Sequence, residues 1–117
     1  MKYLCLGYHE GSAWRAMSDG DRDALMKECA AYEDLLRKHG HRVDGGPLRG
    51  PGESIRLRFE NGKVSITGGP FADSKQELGG IIMLDARDLN HAIQLMSQAP
   101  CMRPGGYVEI RSIIEDR

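Results

Sequence analysis

The sequence has no excess of charge of either sign and no long apolar run. Sixteen lysine and arginine residues nearly balance seventeen aspartate and glutamate residues, and the basic residues are scattered. A basic footprint is therefore missing, and we expect neither a nucleic-acid partner nor a membrane partner. The start of the chain lacks the cleavage pattern of a signal peptide, and no apolar stretch is long enough to span a bilayer. These absences favour a cytoplasmic protein.

The cysteines are few, widely spaced and without a C-x-x-C pair: Cys5, Cys29 and Cys101. This spacing argues against a disulfide framework and against a zinc site. We expect reduced thiols, with Cys5 in a strand and Cys29 on a helix face acting as small apolar side chains. The glycine-rich segments match neither G-x-x-x-x-G-K-[ST] nor G-x-G-x-x-G, so they do not form a phosphate loop. We expect no cofactor and no metal.

The length of 117 residues suits one domain spanning residues 1–117. Apolar periodicity and turn residues predict this order of elements: strand 2–8, helix 18–40, strands 43–48, 55–59, 64–67 and 81–84, helix 88–98, strand 107–113. The order fits an α+β, ferredoxin-like split βαβ fold. Its antiparallel sheet carries two helices on one face and an extra β-hairpin, and the other face stays uncovered.

Three local signals fix the boundaries of these elements. Ser18 and Asp88 are good N-caps for the two predicted helices. Asn61 and Gly62 form a two-residue turn of the type that joins hairpin strands, because both residues tolerate positive φ. The strand and helix bounds therefore rest on turn chemistry as well as on apolar patterning.

Five segments of the sequence resemble the DGPF branch of the YCII-related proteins and together span nearly the whole chain. They are MKYLCLGY (1–8), GGPL (45–48), GPFADSKQELGG (69–80), DARDL (85–89) and VEIR (108–111). The resemblance implies a homodimer whose two sheets face each other, as in the dimeric α/β barrels. Gly68 stands where that branch has the aspartate of its name.

The resemblance also implies two kinds of function. Some members of the wider YCII-related group act on small unsaturated acids by proton transfer or elimination, and the group is thought to use a His and Asp pair. Members of the DGPF branch are often encoded beside sigma factors or fused to them, which implies a regulatory module. A protein that binds a small anionic molecule in a dimer cleft fits both.

Two charged residues of the last strand, Glu109 and Arg111, should point at the uncovered sheet face, because strand side chains alternate. Arg111 could be a fixed cation for an anionic ligand, with Glu109 beside it. Alternatively, the two residues form a structural ion pair or pair across strands.

The glycine-rich loop at 68–80 carries Asp73, Lys75 and Glu77. Asp73 and Glu77 are candidate proton-transfer groups, and Lys75 is a candidate anion-binding group. Alternatively, Asp73 or Ser74 caps a short turn that contains residues 75–78. His9, after the first strand, is a candidate for proton transfer or an exposed loop residue.

The remaining aromatic and histidine candidates carry weaker signals. Trp14 either lines a pocket or covers the edge of the core. His39 and His41 flank the helix end without a third ligand for a metal. We expect His91, in the first turn of the second helix, to be solvated.

Overall fold

The computed structural model describes residues 1–71, 76–100 and 105–115. Its strands are β1 (Lys2–Glu10), β2 (Arg42–Pro47), β3 (Ile55–Glu60), β4 (Lys63–Gly68), β5 (Gln76–Asp85) and β6 (Tyr107–Ser112). Its helices are α1 (Gly11–Ala16), α2 (Asp19–Lys38) and α3 (Leu89–Met96), with a 3₁₀ turn at Pro51–Glu53. In this part of the chain no helix has the length and apolar character needed to cross a bilayer.

The main sheet has four antiparallel strands in the order β2-β5-β1-β6. The connection from β1 to β2 passes through α2, and the connection from β5 to β6 passes through α3. Each connection skips one strand, which is the split βαβ arrangement. The predicted α+β, ferredoxin-like fold is confirmed. The extra hairpin of β3 and β4 is present, as expected, and it forms a separate two-stranded sheet.

The hydrophobic core lies between the main sheet and the helices α2 and α3. Tyr3 and Cys5 of β1 both point toward the helices. Tyr3 pairs with Leu84 of β5, which is completely buried, and Cys5 pairs with Ile82. Burial raises the pKa of the Cys5 thiol to about 11, so this cysteine stays protonated and acts as a packing group. The hydroxyl of Tyr32 on α2 donates a hydrogen bond to the carbonyl of Leu95 on α3.

The local signals in the sequence give the expected structures. The Ser18 hydroxyl accepts a hydrogen bond from the Asp21 N–H at 3.1 Å, which caps α2. The Asp88 carboxylate caps α3 in the same way, through the His91 N–H at 2.8 Å. Asn61 and Gly62 have φ values of 51° and 74°, which confirms the predicted hairpin turn.

Two parts of the backbone prediction are wrong. The six-residue helix α1 was not expected; it follows β1 directly and has no side-chain cap. The sequence predicts a loop at Glu77 and Gly79, but both residues lie in β5, because pairing with β1 holds this glycine-rich segment extended.

The prediction of reduced cysteines is wrong for Cys29, which is disulfide-bonded. Cys5 is a free thiol, as expected. Cys101 lies outside the described residues.

His91 is buried rather than solvated, with only 8% of its surface exposed. Its Nδ1 accepts a hydrogen bond from the Arg87 N–H at 3.1 Å. Its ring packs edge-on against His41, with 4.9 Å between ring centroids. Burial lowers the pKa of His91, and the neighbouring Arg87 and His41 lower it further.

The burial of His91 predicts a pH-dependent stability. Folding lowers the pKa from its ordinary value of 6.5. As the pH falls below that value, the unfolded chain binds a proton that the folded chain does not, so the free energy of unfolding decreases. Above it, both states are neutral and the contribution vanishes.

We expect His91→Asn to flatten this pH dependence, since the asparagine oxygen can accept the Arg87 N–H bond. Urea unfolding at about pH 7.5 and about pH 5.5 measures the change. His39→Asn, at an exposed residue after α2, is the control and should keep the wild-type slope. An unchanged slope in His91→Asn would contradict the assignment.

Candidate active site

His9 and Glu77 face each other across the ladder of β1 and β5, where they are register partners. The His9 Nε2 atom lies 3.6 Å from the Glu77 Oε2 atom. The Arg15 guanidinium donates a hydrogen bond to the other oxygen, Oε1, at 3.0 Å. The side chains of His9 and Glu77 are only 21% and 19% exposed. The carboxylate is thus shared between an imidazole and a guanidinium.

A β-bulge puts Glu77 on the same face as His9. The partner of Gly7 is Gly80, whereas the partner of Tyr8 is Leu78, so Gly79 is an extra residue in β5. Without this extra residue, strand alternation would place Glu77 on the opposite face of the sheet. The bulge therefore brings the carboxylate to the imidazole.

Two glycines leave the space that the pair occupies. A Cβ atom at Gly79 would lie 2.5 Å from the His9 Nδ1 atom, and a Cβ atom at Gly11 would overlap the Glu77 carboxylate. Real Cβ atoms do not approach other atoms so closely, so an alanine at either position would displace the side chain next to it. The packing of this site therefore favours glycine at both positions.

Helix α1 supplies the other two groups of the site. It begins at Gly11, immediately after β1, and this direct connection carries Trp14 and Arg15 back over the end of the sheet. The Trp14 ring centroid lies 5.8 Å from that of His9, with a tilted geometry. Of the two roles considered for Trp14, the structure shows the pocket-lining one.

These residues form one end of a cavity of about 470 Å³ between α2 and the main sheet. Much of its wall is aliphatic: Leu25, Met26, Ala30, Leu48, Ile82 and Met96. Polar groups also line it, including Glu33 on α2 and Arg49 after β2. An apolar cavity with a few converging polar groups is the usual form of a small-molecule site.

Glu33 is a second carboxyl group in the cavity wall. Burial raises its pKa, and this effect outweighs the lowering by Arg42 and Arg37. The Arg42 Nε atom is 4.0 Å from the Glu33 Oε2 atom. A carboxyl that holds its proton to higher pH can donate a hydrogen bond to a ligand, so Glu33 and Glu77 differ in the chemistry they can offer.

The structure separates the candidate residues into two groups. His9 and Glu77 come together in the cavity, whereas Glu109 and Arg111 are exposed on the uncovered face of the sheet. Asp73 and Lys75 lie outside the described residues. Among residues 1–71, 76–100 and 105–115, no three His, Cys, Asp or Glu side chains are grouped as metal ligands would be.

Sequence reasoning missed the roles of Arg15 and Glu33. Neither belongs to a motif, and each becomes part of the site through tertiary packing. A weak signal did exist for Arg15, because it follows the only tryptophan of the chain.

The chain belongs to the YCII-related domain family, whose sequence model matches residues 1–116. An uncharacterised protein of Rhizobium meliloti (strain 1021) is 26% identical over 114 residues, which cover 97% of this chain and 92% of that protein.

A solved structure has the same fold: the 5-chloro-2-hydroxyhydroquinone dehydrochlorinase TftG of Burkholderia phenoliruptrix AC1100, in complex with 2,5-dihydroxybenzoquinone. The comparison of the two structures gives a TM-score of 0.54 at 17% sequence identity, and it covers 93% of this chain and 91% of the TftG chain.

The glycine at position 79 gives a testable prediction about the site. We expect Gly79→Ala to displace the His9 ring while the sheet stays folded, because the new methyl group would occupy the space of Nδ1. Trp14 is the only tryptophan, so its fluorescence reports on the neighbouring imidazole. Quenching of this fluorescence by His9 should shrink in the variant.

Gly46→Ala is the matched control, since a Cβ atom at this strand position meets nothing within 4 Å. It should leave the fluorescence unchanged. If Gly79→Ala keeps the wild-type fluorescence, the close packing of His9 on β5 is wrong.

Proposed function

We propose that the protein is an enzyme that transfers a proton on a small, mostly apolar organic acid. The observation that carries this proposal is the His9–Glu77 pair in the wall of an otherwise largely aliphatic cavity. Histidine is the side chain best suited to take and return protons near neutral pH. A carboxylate beside it stabilises the imidazolium that forms.

The geometry supports a role for Nδ1 as the base. When Nε2 carries its proton toward Glu77, the lone pair of Nδ1 is available, and this atom lies close to Gly79 in the cavity wall. The distance of 3.6 Å between Nε2 and Oε2 is longer than a hydrogen bond allows. Such contacts often shorten when a substrate binds.

The reaction begins with transfer of a carbon-bound proton to His9, and the electron pair of the broken C–H bond forms a new double bond. In an isomerisation, the electron pair of the existing double bond moves to another carbon and takes the proton back from His9 there. In an elimination, a leaving group departs as an anion with the electron pair of its own bond, and His9 then releases the proton to solvent. The fold neighbour TftG is a dehydrochlorinase by name. This name favours elimination over isomerisation as the proposed reaction.

The carboxylate of the acid is best matched by Arg49 at the cavity wall. Arg49 is 85% exposed, and its only ion pair among the described residues, to Glu53, is long at 3.8 Å. A ligand can therefore compete for the guanidinium. Arg111, with Glu109, stays the alternative anion site on the opposite face of the sheet.

We further propose that the protein is a homodimer that covers the open sheet face, which we define as the face carrying Leu4, Leu6, Ile81 and Met83 of β1 and β5. Aliphatic side chains on both faces of a sheet call for a cover on both sides. The alternative of a regulatory module working with a sigma factor rests on the family resemblance alone.

The proton-transfer proposal predicts exchange of carbon-bound hydrogen with solvent. In D₂O, NMR of a panel of small unsaturated acids should show deuterium entering the position next to the acid or carbonyl group. His9→Gln should slow this exchange by a factor on the order of 100 or more. Glu77→Gln should slow it less, because the base remains.

His39→Gln serves as the control for His9→Gln and should exchange at the wild-type rate. Equal exchange by His9→Gln and wild type would remove His9 from the mechanism. If the wild type exchanges none of the acids, the proposed reaction class is wrong for that panel.

A paired substitution tests where an anion binds. Arg49→Met should weaken binding of a stabilising carboxylate by roughly 1.5 to 3 kcal/mol, as for other charged hydrogen bonds, whereas Arg111→Met should leave it unchanged. Quenching of Trp14 fluorescence measures the affinity. The reverse result would move the anion site to the open sheet face and to Arg111.

A further inference from the structure

The hairpin of β3 and β4, here called the ribbon, has an apolar face that nothing covers in the described structure. Its ladder pairs Leu57 with Ile66 and Phe59 with Val64. With Ile55, these side chains share one face and are 51% to 84% exposed. Phe59 is the most exposed of them, at 84%, and it lies next to the turn.

A ribbon of this kind is a poor free-standing unit. β3 and β4 pack chiefly on each other rather than on the main sheet. A two-stranded hairpin alone is at best marginally stable in water. An apolar ribbon face of this size is therefore expected to be buried against a partner.

The open sheet face of the same chain has a groove that suits the tip of the ribbon. The groove, of about 420 Å³, is lined by Leu4, Gly46, Pro47, Leu48, Ile81 and Met83. Its floor is open at Gly46, where an added Cβ atom would meet nothing within 4 Å. Asp44 lies at its rim.

We propose that Phe59 of the ribbon inserts into this groove on a second copy of the chain, so that two ribbons clasp two sheets reciprocally. This proposal rests on the proposed homodimer and adds the residues that hold it. The Phe59 side chain, here called the knob, and the groove belong to one sequence, and within residues 1–71, 76–100 and 105–115 of a single chain nothing occupies the groove or covers the knob. A two-fold axis satisfies both at once.

The size of the apolar ribbon face agrees with this occupant. Five apolar side chains of on the order of 100 Å² each would give, for two ribbons and the two surfaces they cover, roughly 2,000 Å² of buried area. That area is sufficient for a stable dimer.

The test is the dissociation constant of the dimer, measured by analytical ultracentrifugation. Phe59→Ser removes the knob and Gly46→Leu fills the groove, and each should raise the dissociation constant at least tenfold with unchanged circular dichroism. Leu35→Ser, at an exposed leucine on α2, is the control and should have no effect.

A cross-linking experiment identifies the contact directly. Chains with Phe59→Cys and chains with Gly46→Cys should form a disulfide with each other under mild oxidation only when the two proteins are mixed. Cross-linking of Phe59→Cys chains with themselves would instead mean that ribbons touch ribbons, and the proposal would be wrong.

One further variant separates this proposal from the homodimer itself. Leu6→Asp, in the middle of the open sheet face, should abolish any dimer that covers this face. If Leu6→Asp gives monomers while Phe59→Ser keeps the wild-type dissociation constant, the homodimer proposal is supported and the insertion of Phe59 into the groove is wrong. If the wild type is a monomer at tens of micromolar, on the order of the concentrations at which a standard-sized interface persists, both proposals fail.

Discussion

The register of β1 on β5 is the constraint on which both the core and the candidate site depend. In its regular part, this ladder sets Tyr3 against Leu84 and gives the core its most buried pair. After the extra residue Gly79, the same two strands set His9 against Glu77. A slip of one residue would turn the core outward. The bulge shifts the register by one residue at only one end of the ladder, where the two strands leave the core and reach the cavity.

The glycines of this region are explained by close packing rather than by turns. Gly79 lies beneath the His9 ring and Gly11 lies beside the Glu77 carboxylate, and neither has a positive φ. Paired glycines and a proline are strong turn signals and predict a loop in this sequence. The prediction is wrong at 79–80, because β5 pairs with a neighbouring strand on each side. Glycine inside a strand often marks a bulge or a close approach, and here it marks both.

Structural features that depend on a few neighbouring residues can be predicted from this sequence. Features that depend on contacts between distant residues cannot. Asn61-Gly62 and the caps at Ser18 and Asp88 act over two to three residues, so their structures follow from residue type. Helix α1 has no side-chain cap, and its six residues are too few for a helical apolar period to show. His9 and Glu77 are 68 positions apart in the sequence, and their contact depends on the pairing of β1 with β5 and on the bulge in β5. Only the candidate residues themselves could be named in advance.

The position of Arg15 bears on how the candidate pair can work. A guanidinium against a carboxylate would normally neutralise it, and Glu77 would then give little support to a protonated His9. The Arg15 side chain, however, is 64% exposed, whereas that of Glu77 is 19% exposed. Water and salt screen the charge of Arg15 more than that of Glu77. Arg15 can therefore hold the carboxylate in place through Oε1, and its screened charge offsets only part of the negative charge that faces the His9 ring.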